Sequence, residues 1–168
     1  MGDVTLGANA SIWYHAVVRG DMAPIVIGAQ SNIQDGTVVH VDEGVPCTVG
    51  ERVGVGHRVV LHGCTVGDDC LIAMGSVLLN RASIGSGSVV AAGAVVPEGM
   101  QVPPGSLVMG VPGRIVRQVD AALAERISAT WKHYVEEARA HKAGRYPPLF
   151  SPRIHRNPLV YIPFIFVM

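Results

Sequence analysis

At 168 residues the chain has the size of one domain with room for a real core. Thirteen basic and thirteen acidic side chains cancel to a formal charge of zero, and only 15% of residues are charged, which argues against a nucleic-acid or polyanion partner. Hydrophobic residues reach 49% with 5% aromatic, beside 20 glycines and 11 prolines, a mix that favours short strands and tight turns over a helical bundle.

The opening stretch MGDVTLGANASIW has neither the basic start nor the apolar run of a secretory signal. Three cysteines cannot all pair, and none forms a CxxC, so the expected location is reducing and cytoplasmic.

From Leu6 onward aliphatic residues recur every six positions within successive triplets. The series is Leu6, Ile12, Val18; Ile27, Ile33, Val39; Val49, Val55, Leu61; Val66, Ile72, Leu78; Ile84, Val90, Val96; then Val102 and Val108. A small or β-branched residue stands two positions earlier, as at Ala10, Ser31, Thr37, Val53, Ser76, Ser88 and Ser106. Strand side chains alternate, so both members of each pair point inward, and three hexads close one triangular coil. The three- and four-residue spacing of an amphipathic helix is missing here. Cys47, Cys64 and Cys70 fall in the small inward slot and read as buried packing residues rather than ligands or nucleophiles. The period breaks twice: residues 19–26 (RGDMAPIV) lengthen the first coil, and residues 43–46 (EGVP) add a short loop after His40.

The stretch VPPGSLVMGVPGRIV closes the last coil with turn residues. Residues 118–142 are then helix-forming and free of Gly and Pro, with Val119, Leu123, Ile127, Trp131, Tyr134, Val135 and Ala138 as an apolar stripe and Gly144 as the stop. The chain divides into a coil domain at 1–117, a helix at 118–143 packed on it, and a tail at 144–168. That tail holds prolines throughout and ends in LVYIPFIFVM, too short to span a bilayer. Docking on a neighbouring subunit, disorder and an unusual chain end all stay open for it.

Polar residues on the coils make a metal constellation. Arg19, His40 and His62 each follow the third aliphatic residue of successive coils, which predicts one outward column with rungs about 4.8 Å apart. His40 and His62 then converge on one ion at about 2.0–2.1 Å. His57 lies at the corner before that face, up to about 17 Å of chain from His62 and facing away. A neighbouring subunit's His57 is the simplest third ligand, and such a heterologous contact closes as a threefold ring, a homotrimer with metal between subunits. Asp35, in the column below His57, would pair with Arg19 across that boundary. His15, His133, His141 and His155 do not share the register and read as surface or structural residues. Zn2+ is the default ion, with Fe2+ or Co2+ also suited to three histidines.

The segments GDVTLG, RGDMAPI, NIQDGTVVHVDEG, VGVGH and VLHGCTVG, the AMGS turn and VPPGSLVMGVPGRIV resemble the γ-class carbonic anhydrase family over residues 2–143. The resemblance implies a left-handed parallel β-helix of hexapeptide repeats with one C-terminal helix. The hand comes from the resemblance, since the general crossover preference predicts the opposite. It also implies reversible hydration of CO2 to bicarbonate by metal-bound hydroxide at subunit interfaces. His40, His57 and His62 then match the three metal ligands, and Arg19 and Asp35 an interfacial ion pair. Gln34 matches the residue that hydrogen-bonds the solvent at the metal, Asn32 lies in the same N-x-Q-D motif, and Asp21 matches another polar position. Tyr134 resembles a tyrosine directed at the pocket and is equally well explained as helix core. The family's longer acidic loop is shortened here to Asp42 and Glu43, so Glu43 is the candidate proton carrier, with bulk buffer as its competitor. Two other readings stand beside this one: a metal-binding or assembly subunit without useful catalysis, and a hexapeptide acyltransferase with a catalytic histidine and an acyl-CoA between subunits. Three histidines in ligand register, and the lack of a long lobe-forming insertion, disfavour the transferase.

Overall fold

The computed structural model describes residues 1–146. Each hexad contributes a short strand and a corner, and the strands stack in parallel on three faces of a prism. On the first face Ser11–Ile12, Asn32–Ile33, Gly54–Val55, Leu71–Ile72, Val89–Val90 and Ser106–Met109 pair in that order. On the second, Val17–Ile27 pairs with Val38–His40, then Val60–His62, Val77–Leu78 and Val95–Val96. The third carries Gly2–Leu6, Cys47–Val49, Thr65–Val66, Ser83–Ile84 and Gln101–Val102. The extra residues 19–26 form no separate loop. They make Val17–Ile27 one long strand that runs around a corner, so the second and third faces join into a single sheet.

The inward positions behave as the period requires. Ile27, Ile33, Val39, Val55, Leu61, Ile72, Leu78, Val90 and Val96 are fully buried in one cluster. Ser31, Thr37, Ser76, Ser88 and Ser106 are buried too, and their hydroxyls donate to backbone carbonyls, as in Ser31 to Gly50 at 2.7 Å and Thr37 to Gly56 at 2.9 Å. A small polar side chain is thus tolerated inside because its one donor is satisfied. Leu6 departs from the expectation and is 44% exposed, since Gly2–Leu6 is the terminal rung of its stack and meets no further coil on one side.

The outward residue between each inward pair decides what each face meets. On the first face it is Ser11, Asn32, Gly54, Leu71, Val89 or Leu107, all buried under the helix. Leu71, Val89 and Leu107 pack with Ile127, Val119 and Leu123. Gly54 allows this closeness, because a Cβ there would come within 2.9 Å of Thr130 Cγ2. On the third face Thr5, Thr48, Thr65 and Gln101 are exposed and polar. On the second face the outward column is Val17, Val38, Val60, Val77 and Val95, in register from rung to rung. Val17 and Val38 are 49% and 37% exposed, so the described residues leave this apolar ridge open.

The helix runs Ala121–Lys142 and starts three residues later than the expected 118. Gln118 ends the antiparallel strand Arg114–Gln118, paired with Ser106, and Asp120 is the N-cap, accepting from Leu123 N at 2.9 Å. Ile127 and Val135 are buried, while Leu123, Trp131, Tyr134 and Ala138 are half-buried. Gly144, with φ +74, follows the helix. Residues 147–168, which hold the apolar tail, lie outside the described residues. No helix among the described residues is long and apolar enough to cross a membrane.

All three cysteines are free and buried. Burial pushes the Cys70 thiol up to about 11, and Cys64 is raised by its hydrogen-bonded neighbour Cys47 and by burial. The same contact lowers Cys47, which full burial keeps from any reagent. Only a thiolate reacts readily. Native protein is therefore expected to give no fast reaction with a disulfide reagent at neutral pH, and three thiols after denaturation. A fast thiol in the folded state would contradict this packing.

Candidate metal centre

Arg19, His40 and His62 stand directly opposite one another on three successive strands of the second face. His40 Nδ1 and His62 Nε2 face each other at 3.2 Å. Behind His40, its Nε2 lies 3.2 Å from Asp21 Oδ1. Asp21 also accepts from the Arg19 guanidinium, which holds its carboxyl below the usual carboxylate range. The long strand Val17–Ile27 makes this possible, since it carries Asp21 past the corner and back toward His40. Behind His62, Nδ1 lies 2.9 Å from Asn80 Oδ1.

These partners decide where the ring protons sit. A carboxylate or an amide oxygen only accepts, so the nitrogen facing it carries the hydrogen. His40 is then protonated at Nε2 and His62 at Nδ1. The two nitrogens left facing each other both present lone pairs. Two donors bound to one tetrahedral ion at about 2.0–2.1 Å would stand about 3.3 Å apart, close to the separation found. The donor set fits a divalent cation.

His57 lies at the corner between the first and second faces and makes different contacts. Its Nδ1 is 3.0 Å from Asp35 Oδ2, and its Nε2 is 3.4 Å from the Tyr134 hydroxyl. The same rule puts the proton on Nδ1 and the lone pair on Nε2. Burial, with Asp35 and Glu137 nearby, raises the Tyr134 hydroxyl above its ordinary value, so it stays a donor. His57 opens onto a cavity of about 680 Å³ lined by Tyr14, His15, Asp35, Arg58 and Met74. His15 and Arg58 occupy the left-handed corner position, with φ +60 and +56, where the next coils have glycine.

Gln34 is buried beside this corner and donates Nε2 to Asn32 Oδ1 at 3.0 Å. Asn32 is 1% exposed, and its Nδ2 has no partner among the described residues. The chain therefore carries two separate polar clusters. Arg19, Asp21, His40 and His62 form one; Asn32, Gln34, Asp35, His57 and Tyr134 surround the other. Among the described residues no three His, Cys, Asp or Glu side chains group closely enough to hold a metal. Within one chain Arg19 pairs with Asp21 and Asp35 with His57. Glu43 is exposed at the tip of the turn closed by the Asp42–Val45 bridge.

Sequence reasoning missed Asn80. Its signal was the register: Leu78 pairs with Leu61, so the residues after Leu78 run beside His62 and Gly63. It also missed the aromatic cluster that seats the helix end. Trp13 lies 5.0 Å from the Tyr134 ring and 5.2 Å from His141, and His141 Nδ1 meets the Tyr14 hydroxyl at 3.1 Å.

Comparison with known proteins bears on both fold and chemistry. The family of bacterial transferase hexapeptides (six repeats) matches residues 63–98. A carbonic anhydrase of Geobacillus kaustophilus is 46% identical over 142 residues, covering 84% of this chain and 78% of its own. Gamma carbonic anhydrase 2, a mitochondrial protein of Arabidopsis thaliana, is 38% identical over 147 residues, covering 84% of this chain and 53% of its own. Among solved structures, a Bacillus cereus protein described as a candidate acetyltransferase superposes with TM-score 0.83 at 37% identity, covering 84% of this chain and 83% of that one. Fold is common to all of these, and the names divide between two chemistries.

Proposed function

The chain belongs to the γ-class carbonic anhydrase family, and on that premise we propose that it hydrates CO2 reversibly to bicarbonate at a metal held between subunits of a homotrimer. His40 and His62 of one subunit and His57 of the next would hold the ion, Zn2+ by default and Fe2+ or Co2+ as its competitors. The observation that carries this reading is the 3.2 Å approach of His40 Nδ1 to His62 Nε2, read with the hydrogens on His40 Nε2 and His62 Nδ1. Two neutral imidazoles in those tautomers repel unless a cation sits between them.

When bound, the ion supplies Lewis acidity that makes a nucleophile of water near neutral pH. The other groups bind, orient and carry protons. Gln34 has turned its amide nitrogen to Asn32, which leaves Oε1 as its free acceptor for the attacking solvent. Asp35 fixes the His57 tautomer, and the Tyr134 hydroxyl, 3.4 Å from Nε2, would give up that lone pair to the ion. Arg19 and Asp35 are each within reach of a subunit boundary if the second face is covered by another copy. Glu43, exposed at its turn, would hand protons to solvent in competition with buffer.

Support for assembly comes from the faces themselves. One is covered by the helix, one is polar apart from Val26, and the valine ridge beside His40 and His62 is neither. A cyclic trimer would cover each ridge and bring a His57 corner to each histidine pair. The three free thiols fit a reducing compartment, and we place the enzyme in the cytoplasm.

Stopped-flow CO2 hydration by metal-loaded native protein tests the proposal, alongside native mass and metal content. The expected result is turnover above buffer from an assembly of three chains with one ion per chain. Buffer-level rates at full metal loading would leave a binding or assembly subunit. Acetyl transfer from acetyl-CoA without CO2 hydration would move the chain to the transferases.

A further inference from the structure

Asn80 stands behind His62 as an acceptor, and its own surroundings are specific. Its Oδ1 lies 2.9 Å from His62 Nδ1, and its Nδ2 donates to Asp42 Oδ2 at 2.7 Å. An amide can be turned either way, and Asp42 decides which. An ionised carboxylate offers acceptors only, so the NH2 end must face Asp42 and the oxygen must face His62. That oxygen in turn requires a hydrogen on His62 Nδ1. The Nε2 lone pair is then presented toward His40.

Gly63 shapes the space for this contact. A Cβ there would strike Asn80 Oδ1 and come within 2.7 Å of Val45 Cγ1, at a φ of +52 that side chains already disfavour. His40 and His57 are each oriented directly by a carboxylate, Asp21 and Asp35. His62 instead meets a neutral amide at hydrogen-bond distance, and that amide takes its sense from Asp42, whose other oxygen lies 3.8 Å from His62 Nε2, beyond hydrogen-bond reach. An imidazole free in water prefers the other tautomer, with hydrogen on Nε2, so the default would point a hydrogen at the ion.

Resting on the metal reading, we infer that Asn80 is a positioning residue which, locked by Asp42, holds His62 in the Nδ1–H tautomer and presents Nε2 to a divalent cation. Partners of this kind behind a metal-ligating histidine are commonly worth about 10- to 100-fold in metal affinity.

The test uses the full chain labelled with 15N-histidine and stripped of metal, at about pH 8. Long-range 1H–15N spectra report which ring nitrogen carries the hydrogen, and competition with a chromophoric chelator gives Zn2+ affinity. The unmutated protein is expected to show Nδ1–H at His62. Asn80→Ala should move it toward Nε2–H and weaken Zn2+ binding about 10- to 100-fold at unchanged native mass. Asn80→Asp keeps an acceptor behind Nδ1 but turns a second carboxylate onto Asp42. It is therefore paired with Asp42→Asn, which restores the donor between the two side chains, and the double variant should leave both readouts close to the unmutated protein. If Asn80→Ala fails to fold, Asp42→Ala frees the amide to turn and should give a mixture of His62 tautomers. Nε2–H in the unmutated protein, or an Asn80→Ala variant with unmoved tautomer or affinity, overturns the inference. Should the unmutated protein bind no divalent ion, the metal reading falls, and the spectra alone still decide whether Asn80 sets His62.

Discussion

Subunits carrying His57→Ala and subunits carrying His62→Ala, each expected to lose tight metal binding alone, regain about a quarter of the wild-type sites when co-assembled in equal amounts. The arithmetic follows from where the ligands sit. A site takes its histidine pair from one subunit and His57 from the next. It is intact only where a His57→Ala chain supplies the pair and a His62→Ala chain supplies the corner. Each condition holds at half of the boundaries, so about one boundary in four carries three imidazoles. Metal content and CO2 hydration should recover together to that level. If all three ligands came from one chain, every site in the mixture would still lack one, and no recovery would appear. Zero recovery with verified mixed trimers therefore rejects the shared site, while leaving the fold untouched.

Much of this geometry was legible in the chain because the β-solenoid converts sequence distance into spatial position with little freedom. A period of six fixes which residues point inward and which rungs lie together. His40 above Arg19 and below His62 follows from counting alone, and the strand register agrees. The placement of His57 off that column follows equally, because it stands two positions past Val55 rather than one. What counting could not supply was anything carried by a side chain reaching diagonally. Asn80 meets His62 from the next coil across a corner, and only its rotamer and that of Asp42 make the contact. The helix start was misjudged for a related reason. Val119 fits the apolar stripe, but Gln118 is held by a strand partner twelve residues earlier, and local periodicity cannot weigh a long-range pairing. Conversely, the valine ridge was present at a constant offset, one residue before each second-face aliphatic. It passes unnoticed when the inward positions alone are read.

That ridge sets the second large effect. Val77 is the fourth of its five rungs, in register with Val60 below and Val95 above, and is not adjacent in sequence to any of the three histidines. Val77→Asp should cost the isolated coil little, because the outward position is half-open in a single chain. In an assembly it would place an unpaired carboxylate inside an apolar contact. Burying such a charge costs several kcal/mol, and about 3 kcal/mol already weakens association more than 100-fold. The variant is therefore expected to sediment as a monomer at concentrations where the parent is assembled, with its secondary structure and melting cooperativity retained. Metal and CO2 hydration should be lost with the assembly, although every histidine is intact. The matching change on the polar third face, Thr65→Asp, should alter none of these, because that outward position is exposed and its rung neighbour Thr48 is polar. A Val77→Asp protein that keeps the parent's mass would show that the ridge is not the contact surface. One that becomes monomeric yet keeps its metal would show that a single chain completes the coordination by itself.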